Sequence, residues 1–161
     1  MIPRNLSEHR NVESLTWEDL TGGVPTIVAL AGLCSRVLAD PLDPDCEAGD
    51  LPAEARAILA AAGSTGAISI RGDKNAFEPG ERYLAVCVEQ NDGARTEFRC
   101  ANDPEKTIRF VEGFRKLCQS GLVMHHLMNE FSLTASGFSL ARSIDPDSVA
   151  DLLALGRSQS S

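Results

Sequence analysis

Two of the chain's three histidines, His125 and His126, stand side by side in "GLVMHHLMNEF", and five cysteines are scattered at positions 34, 46, 87, 100 and 118. These are the residue types that could do nucleophilic or metal chemistry. On a strand, neighbouring side chains point to opposite faces, so His125 and His126 are not expected to share one ion. Cys118 lies seven residues before His125. Across a helix-to-hairpin turn the two could form a thiol–imidazole pair. Cys118 also falls on the apolar side of a helical pattern, where a cysteine is ordinarily a small buried hydrophobe. No Cys-x-x-Cys knuckle occurs, and the gaps from Cys34 to Cys46 and from Cys87 to Cys100 are too wide for one. The expectation is therefore no metal and no cofactor.

Other catalytic patterns are equally thin. "AAAGSTGAISI" lacks the lysine of a phosphate loop and places its glycines between a helix and a strand, the reverse of the required order. No Gly-x-Ser-x-Gly elbow is present. "DPLDPDCEAGD" is acidic, but its carboxylates lack the alternation and closing glutamate of a calcium loop. The richest polar cluster is "RGDKNAFEPGER", with Arg71, Asp73, Lys74, Asn75 and Glu78 as candidate ligand or partner contacts. Loops between rigid elements often carry binding.

The elements that must position these residues follow from period and punctuation. Residues 1–23 read as a polar arm. Residues 24–156 read as one domain, and 157–161 as a frayed tail. "PTIVALAGLCSRVLAD" reads as a helix apolar on most sides, a candidate homodimer contact. "LPAEARAILAAAG" reads as an amphipathic helix capped by Asp50. "GAISIRG" and "ERYLAVCVEQ" alternate as strands, and the "NDG" turn returns "ARTEFRC" as a third. A helix follows from Asp103 to Ser120, its apolar face drawn through Ile108, Val111, Phe114, Leu117 and Cys118 with Phe110 at the edge. "LVMHHLMNEFSLT" then reads as a hairpin turning near Met128 to Glu130, and Thr134 caps the next helix. "DPDSVADLLALG" reads as a last helix. The fold class is α+β: helices, a small antiparallel sheet over about 66–100, and a helix–hairpin–helix at the C-terminal end.

That last portion carries a resemblance. "FRKLCQSGLV" followed by "FSLTASGFSLA" is similar to the end of many winged-helix domains. There a recognition helix stops at a Gly-Leu-Val turn, a two-stranded wing follows, and Leu-Thr-x-x-Gly leads into the next helix. The matching residues are Leu117, Gly121, Leu122, Val123, Phe131, Leu133, Thr134, Gly137, Leu140 and Ala141, within residues 103–142. The resemblance implies a DNA-reading or protein-docking unit, with Arg109, Arg115 and Lys116 on the exposed helix face beside His125 and His126.

A net charge of −8 favours docking over nucleic acid, because an acidic surface repels phosphate. The expected function is a non-catalytic protein-interaction or adaptor module. A DNA-binding regulator and a Cys/His enzyme are the alternatives. No apolar run is long enough to span a bilayer and no secretory pattern opens the sequence, so a reducing cytoplasm is the expected location.

Overall fold

The structure is a computed structural model, described here for residues 46–72 and 75–159. The polar arm, the apolar 24–39 segment with its dimer reading, Asp73 and Lys74 lie outside the described residues. Within them, six strands form one antiparallel sheet in the order β4-β5-β1-β2-β3-β6. The strands are β1 Ala67–Arg71, β2 Ala85–Glu89, β3 Arg95–Phe98, β4 Val123–His125, β5 Glu130–Leu133 and β6 Arg157–Gln159. The helices are α1 Ala53–Ala62, α2 Pro79–Arg82, α3 Pro104–Gln119, α4 Ala135–Ser143 and α5 Ala150–Leu153.

Period-two alternation divides the sheet into two unlike faces. Ile68, Ile70, Val86, Val88, Phe98, Phe131, Leu133 and Val123 are buried on one face, beneath α1 and α3. Phe98 stacks on Phe110 of α3 with centroids 4.6 Å apart, and Phe114 meets Phe131 edge-on at 4.9 Å. Such pairs add about 0.5–1.5 kcal/mol each beyond the area they remove from water. A Cβ at Gly113 would sit 2.8 Å from the Ala55 backbone nitrogen, so glycine is what lets α3 cross close over α1. Buried Thr107 receives the Cys100 N–H at 2.9 Å and joins the end of β3 to the first turn of α3.

The opposite face is polar and is organised by Arg99, which is only 3% exposed. Its Nε donates to Glu97 Oε1 at 2.7 Å. Its Nη1 faces the carbonyls of Gly80, Glu81 and Tyr83 at 3.1, 2.8 and 2.8 Å, and Nη2 donates to the Arg71 carbonyl at 3.3 Å. One guanidinium thus holds α2 and the chain around it against the ends of β1 and β3. Only arginine offers a planar fork of five donors.

Several expectations are revised by this packing. Pro52, not Asp50, precedes α1, because Glu47 and Asp50 close a separate 3-10 turn over Ala48–Asp50. Arg82 to Leu84 do not extend β2. Pro79 starts a helical turn there instead, and Arg82 donates to the Ala76 and Phe77 carbonyls. The apolar face of α3 is rotated: Phe110 is fully buried, while Ile108 is 44% exposed. Phe110 wins that position because its ring stacks on Phe98. The final helix is a 3-10 turn, Pro146–Val149, followed by α5. Arg157–Gln159, expected in a frayed end, pairs with β3. The 66–100 strands and the C-terminal hairpin are one sheet, because β5 pairs with β1.

Replacing Arg99 with Ala takes a buried charge and its donors away from Glu97 and from several carbonyls. Urea unfolding is expected to show a loss of about 3–5 kcal/mol. Arg99→Lys keeps the charge but not the fork and should fall between the two. Wild-type stability in R99A would show that the cage is not what holds α2 to the sheet.

Candidate functional site

The hairpin that carries the histidines is set by its two ends. α3 stops at Gly121, whose φ of +67° suits glycine. The Gly121 N–H bonds the Cys118 carbonyl at 3.1 Å and the Leu122 N–H bonds the Leu117 carbonyl at 3.0 Å, a Schellman closure. Leu117 and Leu122 are both buried, supplying the apolar contact that accompanies this closure. Thr134 then ties the start of the hairpin to its end. Its Oγ1 donates to the Gly121 carbonyl at 2.8 Å and accepts the Gly137 N–H at 3.1 Å, capping α4. A Cβ at Gly137 would overlap the Leu122 carbonyl oxygen. Gly121, Leu122, Thr134 and Gly137, which carry the winged-helix resemblance, therefore form one joint.

β4 is the edge of the sheet. The Thr134 N–H reaches the Leu122 carbonyl and the His126 N–H reaches the Glu130 carbonyl, each at 3.0 Å. The ladder alternates, so Leu122, Met124 and His126 turn their peptide groups toward β5. The N–H and C=O of Val123 and His125 point outward, and among the described residues no strand pairs with them. The strand carries no Lys, Glu, Asp or Pro, the usual guards of an exposed edge. Around it are exposed apolar side chains: Met124 at 49%, Leu127 at 78% and Met128 at 77%.

His125 and His126 take opposite faces. The His125 ring lies 4.8 Å from Phe131 on the helix side, and its Nε2 donates to the Met128 carbonyl at 2.8 Å. His126 Nε2 meets Ser132 Oγ at 2.7 Å on the other side. Met128 adopts φ 54°, an uncommon value for a non-glycine residue, at the tip that these bonds brace.

Arg109, Arg115 and Lys116 are drawn together elsewhere. They line a groove between α3 and the start of α1, with Glu54, Glu112 and Gln119. Arg109 is held by Glu105 at 2.6 Å, a hydrogen bond that raises its pKa further. Glu54 and Glu112 offset much of the remaining positive charge. The structure thus separates the basic set from the histidine hairpin, and the two share no hydrogen bond, ion pair or ring contact among the described residues.

The "RGDKNAFEPGER" cluster is mostly taken up by the fold. Arg71 Nε donates to Ser69 at 3.2 Å, and its carbonyl receives Arg99. Glu78 precedes α2 without capping it, and Asn75 lies in the turn before. Glu81, in the same polar cluster, lies 3.5 Å from Arg99 and 3.6 Å from Arg157. Phe77, 92% exposed, crowns this loop.

Two of the thiols, Cys87 and Cys118, are poorly placed for chemistry. Cys118 is 5% exposed on the sheet-facing side of α3. Cys87, 4% exposed, lies on the polar face between Ser69 and Glu97. Burial, with help from Glu97, pushes its pKa from 9.0 up to about 11, against the opposing pull of Arg71, Arg99 and Arg95. Comparison with protein-family models, curated proteins and solved structures finds no match for this chain.

Thiolate formation governs reaction with a thiol reagent. In the native protein at neutral pH, Cys87 and Cys118 should label only as fast as the chain unfolds, and Cys46 should label promptly. Mass spectrometry of labelled peptides reads this directly. A raised folded-state pKa also fixes the sign of one pH effect. The unfolded thiol loses its proton near 9.0 and the folded one near 11, so Cys87's contribution is intact below 9.0 and is lost as pH rises through that window. C87A should flatten the decline of stability across it.

Proposed function

We propose that this protein is a non-catalytic interaction module that takes an extended segment of a partner protein as an added strand along β4. The observation that carries the reading is the edge position of β4 among the described residues: Val123 and His125 turn their peptide groups outward, no described strand pairs with them, and Met124, Leu127 and Met128 are exposed beside them. Strand addition supplies main-chain hydrogen bonds at an open edge, and alternate side chains of the added strand supply selectivity. The segment that fits is apolar at the alternate positions that lie beside Met124. The local resemblance to winged-helix domains is compatible with this reading, since such modules also dock proteins.

Nucleic acid is the alternative partner. The net charge of −8, the pairing of Arg109 with Glu105 and the acidic neighbours of Arg115 and Lys116 weigh against it. An enzyme built on Cys118 and His125 is disfavoured by the buried thiol and by the engaged imidazole. We place the protein in a reducing cytoplasm, where thiols such as Cys46, Cys87, Cys100 and Cys118 stay outside disulfides.

His125→Pro removes an outward N–H that β5 does not use, at an edge position where proline is tolerated. H125P also loses the ring bond to Met128 and the Phe131 contact, so it is compared with full-length H125A, which loses those alone and should match H125P in denaturant midpoint while keeping its partners. Protein partners captured from source-cell lysate after nuclease treatment should bind the wild type and be lost from H125P. Equal capture by both proteins would refute docking at this edge. Loss of all partners on nuclease treatment would move the function to nucleic acid.

A further inference from the structure

What can pair with a strand edge depends on where its peptide groups point. On β4 the outward groups are the N–H and C=O of Val123 and of His125, with Met124 between them. The groups that would continue this row at either end are engaged within the chain. The Gly121 N–H bonds the Cys118 carbonyl at 3.1 Å, and the Gly121 carbonyl accepts the Thr134 hydroxyl at 2.8 Å. Beyond His125, the Leu127 carbonyl accepts the Glu130 N–H at 3.0 Å. The edge therefore presents two complete residues, placed symmetrically about Met124.

That symmetry makes the edge complementary to itself. In an antiparallel ladder, a residue whose groups point across exchanges both bonds with one residue of the other strand. A twofold axis at Val123 would set His125 against Gly121 of a second copy, whose groups are taken. An axis at His125 would set Val123 against Leu127 of the second copy, whose carbonyl is taken. An axis at Met124 sets Val123 against His125 and His125 against Val123, and it leaves no outward group of either copy unpaired. Met124 then faces itself across a non-hydrogen-bonded position, where Cα atoms stand about 4.5 Å apart and side chains pack closely. Its side chain is 49% exposed and flexible enough to fill such a contact. Charge also bears on the choice of surface. Two chains of net charge −8 repel each other, but β4 itself carries no charged residue except what its histidines take up, and Glu130 lies one strand further in, opposite His126.

We propose that, without another partner, two copies of this chain pair antiparallel along β4 about a twofold axis at Met124, joining their sheets edge to edge. Such a contact is isologous and closes on itself. It covers the edge that the proposed function assigns to a partner's strand, so self-association and partner docking compete. The inference shares that edge with the proposed function but is measured on the isolated protein, so it stands or falls whether or not a partner is captured.

The test is sedimentation of the full-length protein over a range of concentrations, with disulfide trapping to read the register. Wild type and H125A both keep the N–H of residue 125, and both should rise toward twice the one-chain mass as concentration increases. H125P should stay at the one-chain mass at concentrations where wild type has doubled. M124C places two thiols on the axis, within the Cα separation of about 4.4–6.8 Å that a disulfide spans. With oxidised glutathione as the oxidant, M124C should link to its own copy, and peptide mass spectrometry should locate the bond at position 124. Met128 is more exposed than Met124 but sits at the hairpin tip, away from the axis. M128C should therefore fail to link under the same conditions, as should M124C combined with H125P. Wild type that stays at the one-chain mass at every concentration would overturn the proposal. So would a dimer that survives in H125P, or M128C linking as readily as M124C.

Discussion

A guanidinium buried at the end of β3 is the constraint on which the polar side of this molecule depends. Arg99 cannot be left alone in a water-poor setting, because an unpaired buried charge is strongly destabilising. Its neighbours satisfy it: Glu97 two residues earlier on the same face, and carbonyls from the chain between β1 and β2. That chain packs on the core through Leu84 at its far end, while Phe77 and Tyr83 are exposed. The Arg99 cage adds electrostatic attachment to the part of the 75–84 connection that Leu84 does not reach. Glu81 also reaches Arg157, so the same polar group extends from β1 to β6 across the sheet.

The other side is governed by shape. Three fully buried phenylalanines, Phe98, Phe110 and Phe114, fill the space between the sheet and α3, and Gly113 lets α1 approach the same helix. Aromatic residues make up only 5% of the chain, so their concentration here is what sets the rotation of α3. Ile108 is displaced to the surface as a consequence. The same core reaches the β4 edge through Phe131, which lies between Phe114 and His125. The hairpin is therefore anchored at its base by the core and braced by two histidine hydrogen bonds, while among the described residues no strand pairs with the outer edge of β4. A rigid base with an open edge is the arrangement that strand addition requires.

Polar groups that the sequence makes conspicuous are largely occupied by structure. Arg109 serves Glu105, Arg71 serves Ser69, and the two buried cysteines are shielded from substrate. The stretch from Met124 to Met128 stays exposed and carries three large apolar side chains, Met124, Leu127 and Met128. A chain of net charge −8 that leaves such a stretch at a sheet edge has a local surface unlike the rest of it. That contrast underlies the interaction reading.

Local chemistry determined much of the element order. Asp103 and Pro104 start α3, Thr134 starts α4, the Asn-Asp-Gly turn joins β2 to β3, and Gly121 ends a helix, all by interactions within a few residues. Alternation also placed His125 and His126 on opposite faces, because a strand has a period of two. The long-range pairing of β5 with β1 and of β6 with β3 was not legible, since no local period records which strand lies beside which. The rotation of α3 followed from Phe98, a residue on another element. The cage around Arg99 joins β1, α2 and β3 across as many as 28 positions of sequence, and nothing near Arg99 except Glu97 announces it. The edge status of β4, on which the proposed function rests, is likewise a property of the assembled sheet. Short-range hydrogen bonds and side-chain periods are written along the chain, whereas burial and free edges exist only once distant segments have met.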